Sequence, residues 1–96
     1  MDDVTITSHD HGTHGEYHAA MAGSSAIGRL TWTQHGTVRA AEHTLVPPEI
    51  DGRGVAAKLV EALVADARNQ GFKIDPQCSY VAAAFKRHPD WADLHA

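Results

Sequence analysis

The spacing of the apolar residues changes at Gly54, and this change limits the possible folds more than any other feature of the chain. Before Gly54, apolar and polar residues alternate, as in the segment Arg29–Thr33, and such alternation is typical of half-buried strands. After Gly54, the apolar residues recur at helical spacing, at Val55, Ala56, Leu59, Val60, Leu63, Val64 and Ala67. Gly71 then stands at the usual position of a C-terminal helix cap. The sequence therefore predicts several strands followed by an amphipathic helix.

The remaining elements follow from turn residues and shorter patterns. Strands are predicted at residues 4–7, 16–22, 26–34, 37–46 and 72–75, and a second helix at residues 79–88. We interpret His35-Gly36 as a two-residue hairpin turn and Pro47-Pro48 as the end of the fourth strand. Within that strand, alternation places Glu42 and His43 on opposite faces. We therefore predict an α+β fold with a mainly antiparallel sheet of about five strands and two main helices.

The length of the chain, 96 residues, predicts a single domain with a modest core. Residues 1–15 are polar and rich in histidine, and we expect them to form a flexible segment with a possible first strand. Residues 16–96 are expected to form the domain proper. In its C-terminal tail, Trp91 and Leu94 are the side chains expected to pack back on the rest of the domain.

Composition and charge argue against several classes of protein. The net charge of -4, with histidine neutral, disfavours nucleic-acid binding, which usually needs a clustered basic surface. The single cysteine allows no internal disulfide, so a reducing compartment fits best. The acidic opening MDDV differs from the basic start of a signal peptide, and no apolar run reaches the ~20 residues that a membrane span needs. We expect a cytoplasmic protein without nucleic-acid or membrane partners.

Gly52, Arg53 and Gly54 form a short glycine loop directly before the first helix. The first turn of a helix has backbone N–H groups without partners, and the helix dipole adds about half a positive charge there. Glycines also let the backbone curl close to a phosphate without Cβ clashes. The loop is therefore a candidate anion site, although a plain strand-to-helix connection also explains the glycines. It is neither a Walker loop nor a dinucleotide-binding fingerprint, because the spacing of both is missing.

The residues around this loop resemble a small subfamily of the GNAT N-acetyltransferases, the short single-domain acyltransferase-like proteins. The resemblance lies in EHTLVPPEIDGRGVAAKLVEALVADARNQGFKI and PQCSYVAAAFKRHPDWADL, and it extends from about residue 16 to residue 94. It implies a GNAT-like fold that binds acetyl-coenzyme A (acetyl-CoA) as cosubstrate. It also implies acetyl transfer to an amine acceptor by direct attack on the thioester. The acceptor, a small molecule or a protein amine, stays open, as does the oligomeric state.

The resemblance further implies which residues hold acetyl-CoA. The superfamily's pyrophosphate loop reads Arg/Gln-x-x-Gly-x-Gly/Ala, and Gly54 and Ala56 fill its last two marked positions. The first marked position falls on Asp51, whose negative charge disfavours a nearby diphosphate. The implied diphosphate site consists of Asp51, Gly52, Arg53, Gly54, Val55 and Ala56. Backbone groups of Leu45 and Val46 would hold the pantetheine arm.

Cys78 and His43 are the candidate catalytic side chains. His43 lies in the fourth strand and has a pKa class that suits a general base, although a packed or surface histidine is the alternative. Cys78 is the only thiol and precedes the second helix, whose N-terminus lowers the pKa of a thiol. By resemblance Cys78 lies near the acetyl group, and its role as nucleophile, acid or packing residue stays open.

Two alternatives to an acetyltransferase remain. The first is an acyl-CoA-binding protein of the same fold with little or no catalysis. The second is an interaction module without a cofactor, in which the glycine loop is only a turn. The histidines His9, His11, His14 and His18 suggest weak chelation at most, and we expect no physiological metal site.

Overall fold

A computed structural model describes residues 3–96 of the chain. Its strands are β1 (Val4–Asp10), β2 (His14–Met21), β3 (Ile27–His35), β4 (Val38–Leu45) and β5 (Lys73–Pro76). They form one sheet in the order β1-β2-β3-β4-β5, antiparallel except for the parallel pair of β4 and β5. The helices are α1 (Val55–Gln70) and α2 (Ser79–Arg87), followed by a 3-10 helix (Pro89–Leu94). The predicted α+β fold, with a mainly antiparallel five-stranded sheet and two main helices, is confirmed.

A single hydrophobic core joins the helices to one face of the sheet. Leu59 and Leu63 of α1 pack there with Leu30 of β3, and all three are fully buried. Trp91 and Leu94 are also buried in this core, which confirms the predicted packing of the C-terminal tail. No helix within residues 3–96 has the length and apolar character needed to cross a membrane.

The opposite face of the sheet, called the open face below, is covered by no helix among residues 3–96. Glu16, Thr31 and His43 stand in one row across β2, β3 and β4, and each is exposed or half-buried. Their neighbours Leu30 and Trp32 point the other way and are buried in the core. The sheet is therefore apolar on its helix face and polar on its open face, as expected for antiparallel strands covered on one side.

Some element boundaries differ from the prediction. β1 continues to Asp10 because it pairs with β2 over its whole length, from Val4↔Met21 to Asp10↔Gly15. The prediction that the first strand ends at residue 7 and the second begins at residue 16 is therefore wrong, since backbone pairing gives a strand where the side chains show no apolar alternation. The hairpin turn is Gly36-Thr37 instead of His35-Gly36, because His35 pairs with Val38. The division into a segment 1–15 and a domain 16–96 stays a prediction.

A β-bulge interrupts the pairing of β3 with β4. Thr31 pairs with His43, whereas Trp32 pairs with Ala41, so Glu42 is an extra residue. The hydroxyl of Thr33 donates a hydrogen bond of 2.9 Å to Glu42 Oε2, which holds the Glu42 carboxylate on the open face. His43 is exposed on that face as well. The predicted opposite orientation of these two residues is wrong, because the bulge breaks the alternation.

Candidate functional site

The glycine loop, defined as residues 51–56, lies at the N-terminus of α1. Gly52 and Gly54 have φ angles of 77° and 76°, a left-handed conformation that residues with side chains rarely adopt. Gly54 is the N-cap residue, and no side chain caps the helix. Within residues 3–96, the amides of Val55 and Ala56 have no backbone hydrogen-bond partner. The loop therefore offers N–H donors at the positive end of the helix dipole, where an anion is favoured.

Asp51 places a carboxylate inside this loop. The amide of Gly52 donates a hydrogen bond of 2.9 Å to Asp51 Oδ1, so the side chain occupies one of the loop donors. Arg53, two residues further on, is exposed and makes no ion pair within residues 3–96. An anion at the loop would therefore compete with Asp51 and be attracted by Arg53.

The pairing of β4 with β5 covers only the first half of β4. It runs from Val38↔Lys73 to Ala41↔Pro76, where β5 ends. Residues 43–45 of β4 pair with β3 on one side and have no β5 partner on the other. This unpaired edge ends at Leu45, which is 57% exposed and is the only exposed large apolar residue within residues 3–96. The edge offers backbone hydrogen-bonding groups and an apolar contact to an extended ligand.

Cys78 lies where β4 and β5 separate. Its amide donates to the carbonyl oxygen of Ala41 at 2.9 Å, and its Sγ lies 3.4 Å from Thr44 Oγ1. Cys78 is the N-cap residue of α2, which agrees with its predicted position at the start of the second helix. Burial raises the pKa of the thiol, but hydrogen bonds from the Thr44 hydroxyl and from nearby backbone amides outweigh this effect. The pKa of Cys78 therefore lies below its ordinary value.

Replacing Thr44 with valine is expected to raise the pKa of Cys78, because the substitution removes the hydroxyl that stabilises the thiolate. Alkylation of Cys78 at neutral pH should then slow, by less than about tenfold, since one neutral hydrogen bond contributes about 1 kcal/mol. The measurement is the pH dependence of the rate of iodoacetamide labelling. Thr33→Val on the open face is the control, and equal rates in all three proteins would show that the Thr44 contact does not tune the thiol.

The structure does not bring His43 and Cys78 together on one side of the sheet. Thr44, the residue beside Cys78, pairs with the core residue Leu30, whereas His43 is exposed on the open face. The contact of Thr44 with Cys78 joins positions 34 residues apart. It carries no local signal in the sequence, which is why Thr44 was not among the predicted site residues.

The open face carries a concave region, called the histidine cavity below, with a volume of about 380 Å³. It is lined by His9, His11, His14, Gly15, Glu16, His18, Thr31, Trp32, Thr33 and Glu42. Glu16 Oε1 accepts hydrogen bonds from His18 Nε2 at 2.7 Å and from Arg29 at 3.2 Å. The hydrogen bond from His18 lowers the pKa of Glu16, assisted by Arg29 and opposed by burial. Glu16 is therefore an ionised carboxylate that already has its partners.

The histidines of this cavity form two ring pairs. The ring centroids of His9 and His18 are 4.0 Å apart, and those of His11 and His14 are 5.3 Å apart. Among residues 3–96, no three or more His, Cys, Asp or Glu side chains are arranged to hold a metal ion. The expectation that the chain has no physiological metal site stays a prediction.

Comparison with known families identifies a match over most of the chain. The family described as GCN5-related N-acetyl-transferase matches residues 16–94, from β2 to the end of the 3-10 helix. The matched region contains the glycine loop, the unpaired edge of β4 and Cys78, and it excludes β1. A search of curated proteins finds no match to the chain.

Proposed function

Since the chain belongs to the GCN5-related N-acetyltransferase family, we propose that it binds acetyl-CoA and transfers the acetyl group to an amine. The observation that carries this proposal is the succession of two features along the chain. The edge of β4 that lacks a β5 partner ends at Leu45, and the glycine loop with its unpaired amides follows a few residues later. Acetyl-CoA combines an extended amide-bearing arm with a diphosphate, so it matches both features.

In this proposal, backbone amides hold most of the cosubstrate. The amides of Gly54, Val55 and Ala56 bind the diphosphate, and Arg53 adds a positive charge. The open space around Gly52 and Gly54, where an added Cβ would meet nothing within 4 Å, leaves room for this contact.

The pantetheine arm is proposed to lie along the unpaired edge of β4. Backbone groups at Leu45 and Val46 have the hydrogen-bonding capacity for its amides, in the manner of an added strand. The exposed side chain of Leu45 offers an apolar contact. A backbone N–H at this edge also suits the thioester carbonyl oxygen, as in an oxyanion hole.

Acetyl-CoA supplies an acetyl group that is activated as a thioester. The transfer forms a bond between the amine nitrogen and the carbonyl carbon and breaks the bond to sulfur, while the amine loses one proton and the sulfur gains one. A primary amine with a pKa of about 10 is only about one part in a thousand neutral at pH 7, so a base assists. We propose His43 as the base on the open face and Cys78 as the polar group nearest the thioester.

An acyl-CoA-binding protein with little catalysis is the second candidate. It is favoured by the open face, which no helix within residues 3–96 covers. Asp51 also favours it, because its carboxylate occupies a loop amide. Release of free thiol from acetyl-CoA in the presence of a panel of amines distinguishes the two, since a pure binding protein releases none above background.

Calorimetric titration with acetyl-CoA tests the proposed binding. The variant Gly54→Ala tests whether the glycine loop is the site of that binding. Alanine is strained at a φ angle of 76°, so we expect about 1 kcal/mol of lost stability and an affinity about five- to tenfold weaker. Gly23→Ala is the matched control, because Gly23 has a φ angle of 83° and equally open surroundings but lies in the β2–β3 turn. Gly23→Ala should lose similar stability and no affinity. If the native chain does not bind acetyl-CoA, the interaction module without a cofactor becomes the better-supported function.

A further inference from the structure

We propose that the histidine cavity binds a small organic amine in its ammonium form, with the ammonium group held by the Glu42 carboxylate. Glu42 is the bulge residue of β4, it is half-buried, and it lines the cavity. The hydroxyl of Thr33 donates to Oε2, and no ion pair to Glu42 exists within residues 3–96. A half-buried carboxylate with one neutral donor retains capacity for a cation, since an ionised carboxylate accepts at both oxygens.

The charges around the cavity favour the binding of a single cation. Glu16 is neutralised by Arg29 at 3.2 Å, so Glu42 is the carboxylate left without a counterion. The four histidines, His9, His11, His14 and His18, are the remaining titratable groups of the cavity. When neutral, each offers a ring nitrogen that accepts a hydrogen bond. With the four histidines neutral, the cavity has a net charge of about −1 and an excess of acceptors, which suits an ammonium group and disfavours an anion.

Thr31 adds a polar group that has no hydrogen-bond partner within residues 3–96. Its Oγ1 is buried and makes no hydrogen bond within residues 3–96, although buried polar atoms are nearly always paired. Thr31 stands in the row between Glu16 and His43 and lines the same cavity. An ammonium group has three N–H donors, so it can serve Glu42 together with neighbouring hydroxyl or imidazole acceptors.

The size of the cavity selects a small ligand. A volume of about 380 Å³ lies at the lower end of the range for small-molecule sites, about 300–1,000 Å³. A compact alkyl amine or diamine fits this volume, whereas a folded protein surface does not enter it.

The position of Glu42 connects the cavity to β4. Glu42 lies next to His43, at the point where the β5 pairing of β4 has just ended. An amine at Glu42 therefore lies beside the strand segment proposed to hold the thioester. That the bound amine is the acetyl acceptor rests on the proposed function, whereas its binding requires only the cavity.

The test is a titration of the full chain with diaminobutane, in which the NMR signals of the histidine rings are monitored. We expect saturable shifts for rings of the cavity, and an affinity at least about tenfold weaker in Glu42→Gln, which keeps the size and the acceptor for Thr33. Glu61→Gln is the matched control, because Glu61 is exposed on α1 on the far side of the sheet and its substitution changes the net charge equally. Butanediol, which has the same length and no charge, should cause no saturable shift.

The outcomes separate this inference from the proposed function. No saturable shift, or equal affinity in Glu42→Gln and the native chain, overturns the inference, as does binding of butanediol as tight as that of diaminobutane. Calorimetry with acetyl-CoA on the same samples reports on the proposed function alone. Amine binding without acetyl-CoA binding would leave the cavity as a cation site and reject the acetyltransferase, and the reverse result would reject only the cavity.

Discussion

Replacing Arg39 with alanine is expected to lower the free energy of unfolding by about 3 kcal/mol, because Arg39 is a buried cation whose partners are all protein groups. Its side chain is only 4% exposed. The guanidinium carbon lies 3.5 Å from the centroid of the Trp32 ring and 4.1 Å from that of Phe72. Nε donates to Gln34 at 2.8 Å, and a terminal nitrogen donates to the Tyr17 hydroxyl at 2.9 Å. Desolvated cation–π contacts and charged hydrogen bonds are among the stronger single interactions in proteins.

The hydrogen-bond network of Arg39 extends through the Tyr17 hydroxyl to α1. It donates a hydrogen bond of 2.7 Å to Asp66 Oδ2 while it accepts from Arg39. Burial, together with the hydrogen bond to Asp66, raises the pKa of Tyr17 well above its ordinary value, so the hydroxyl stays protonated. Arg39 thus connects β4 through β2 to α1, and its loss leaves the Tyr17 hydroxyl and Gln34 with unpaired acceptors.

Urea denaturation followed by circular dichroism measures the effect of Arg39→Ala. A loss of about 3 kcal/mol corresponds to a Tm lower by about 15 °C for a domain of this size. Arg29→Ala is the control, since Arg29 has a half-exposed side chain and one ion pair, and it should cost less than about 1 kcal/mol. If Arg39→Ala does not fold, Arg39→Lys keeps the charge without the planar fork and should still lose about 2 kcal/mol. A loss below 1 kcal/mol in either variant would show that the network contributes little.

The burial of Arg39 could not be predicted from the sequence. Charged residues are almost always assigned to an exposed face, and nothing local marks this one as buried between two aromatic rings. The position of β4 in the chain was predictable from Pro47 and from the preceding turn residues. The face of the sheet to which the Glu42 side chain points was not. The bulge at Glu42 depends on the register with β3, which is a tertiary property.

The helix and the glycine loop were predictable because their signals are local. The buried positions of α1 recur at the spacing read from the sequence, and Gly54 and Gly71 cap it with left-handed φ angles. The first strand was only partly predictable, because β1 is an edge strand with half-buried Val4 and Ile6 and otherwise exposed residues. Its length comes from backbone pairing with β2, which no side-chain pattern records.

The candidate site, too, was only partly predictable from the sequence. The loop residues and Cys78 could be named as candidates because a family resemblance and a helix start point to them, and their roles stay predictions. The contact of Cys78 with Thr44, the hydrogen bond of Asp51 with Gly52 and the cavity around Glu42 were not found, because each depends on the positions of side chains in the folded chain.

If the chain binds acetyl-CoA as proposed, replacing Asp51 with arginine is expected to tighten that binding by about thirtyfold at low salt. The substitution removes one negative charge and adds one positive charge near the diphosphate, and each close charge pair contributes about 1 kcal/mol in water. It also releases the Gly52 amide, which now donates to the Asp51 carboxylate at 2.9 Å, as a further donor for the ligand. Calorimetric titration with acetyl-CoA measures the change, and the gain should shrink at high salt because exposed charges are screened.

Two further variants separate the charge from the occupied amide. Asp51→Asn removes the charge and keeps an oxygen that can accept from Gly52, so it should give about a fivefold gain, whereas Asp51→Ala also frees the amide and should exceed it. Glu49→Arg is the control, since Glu49 is exposed, lies two residues earlier and undergoes the same change of charge. If Glu49→Arg tightens binding as much as Asp51→Arg, the effect is one of net charge. If Asp51→Arg changes nothing, the carboxylate does not face the bound diphosphate, and the loop binds through its backbone amides alone.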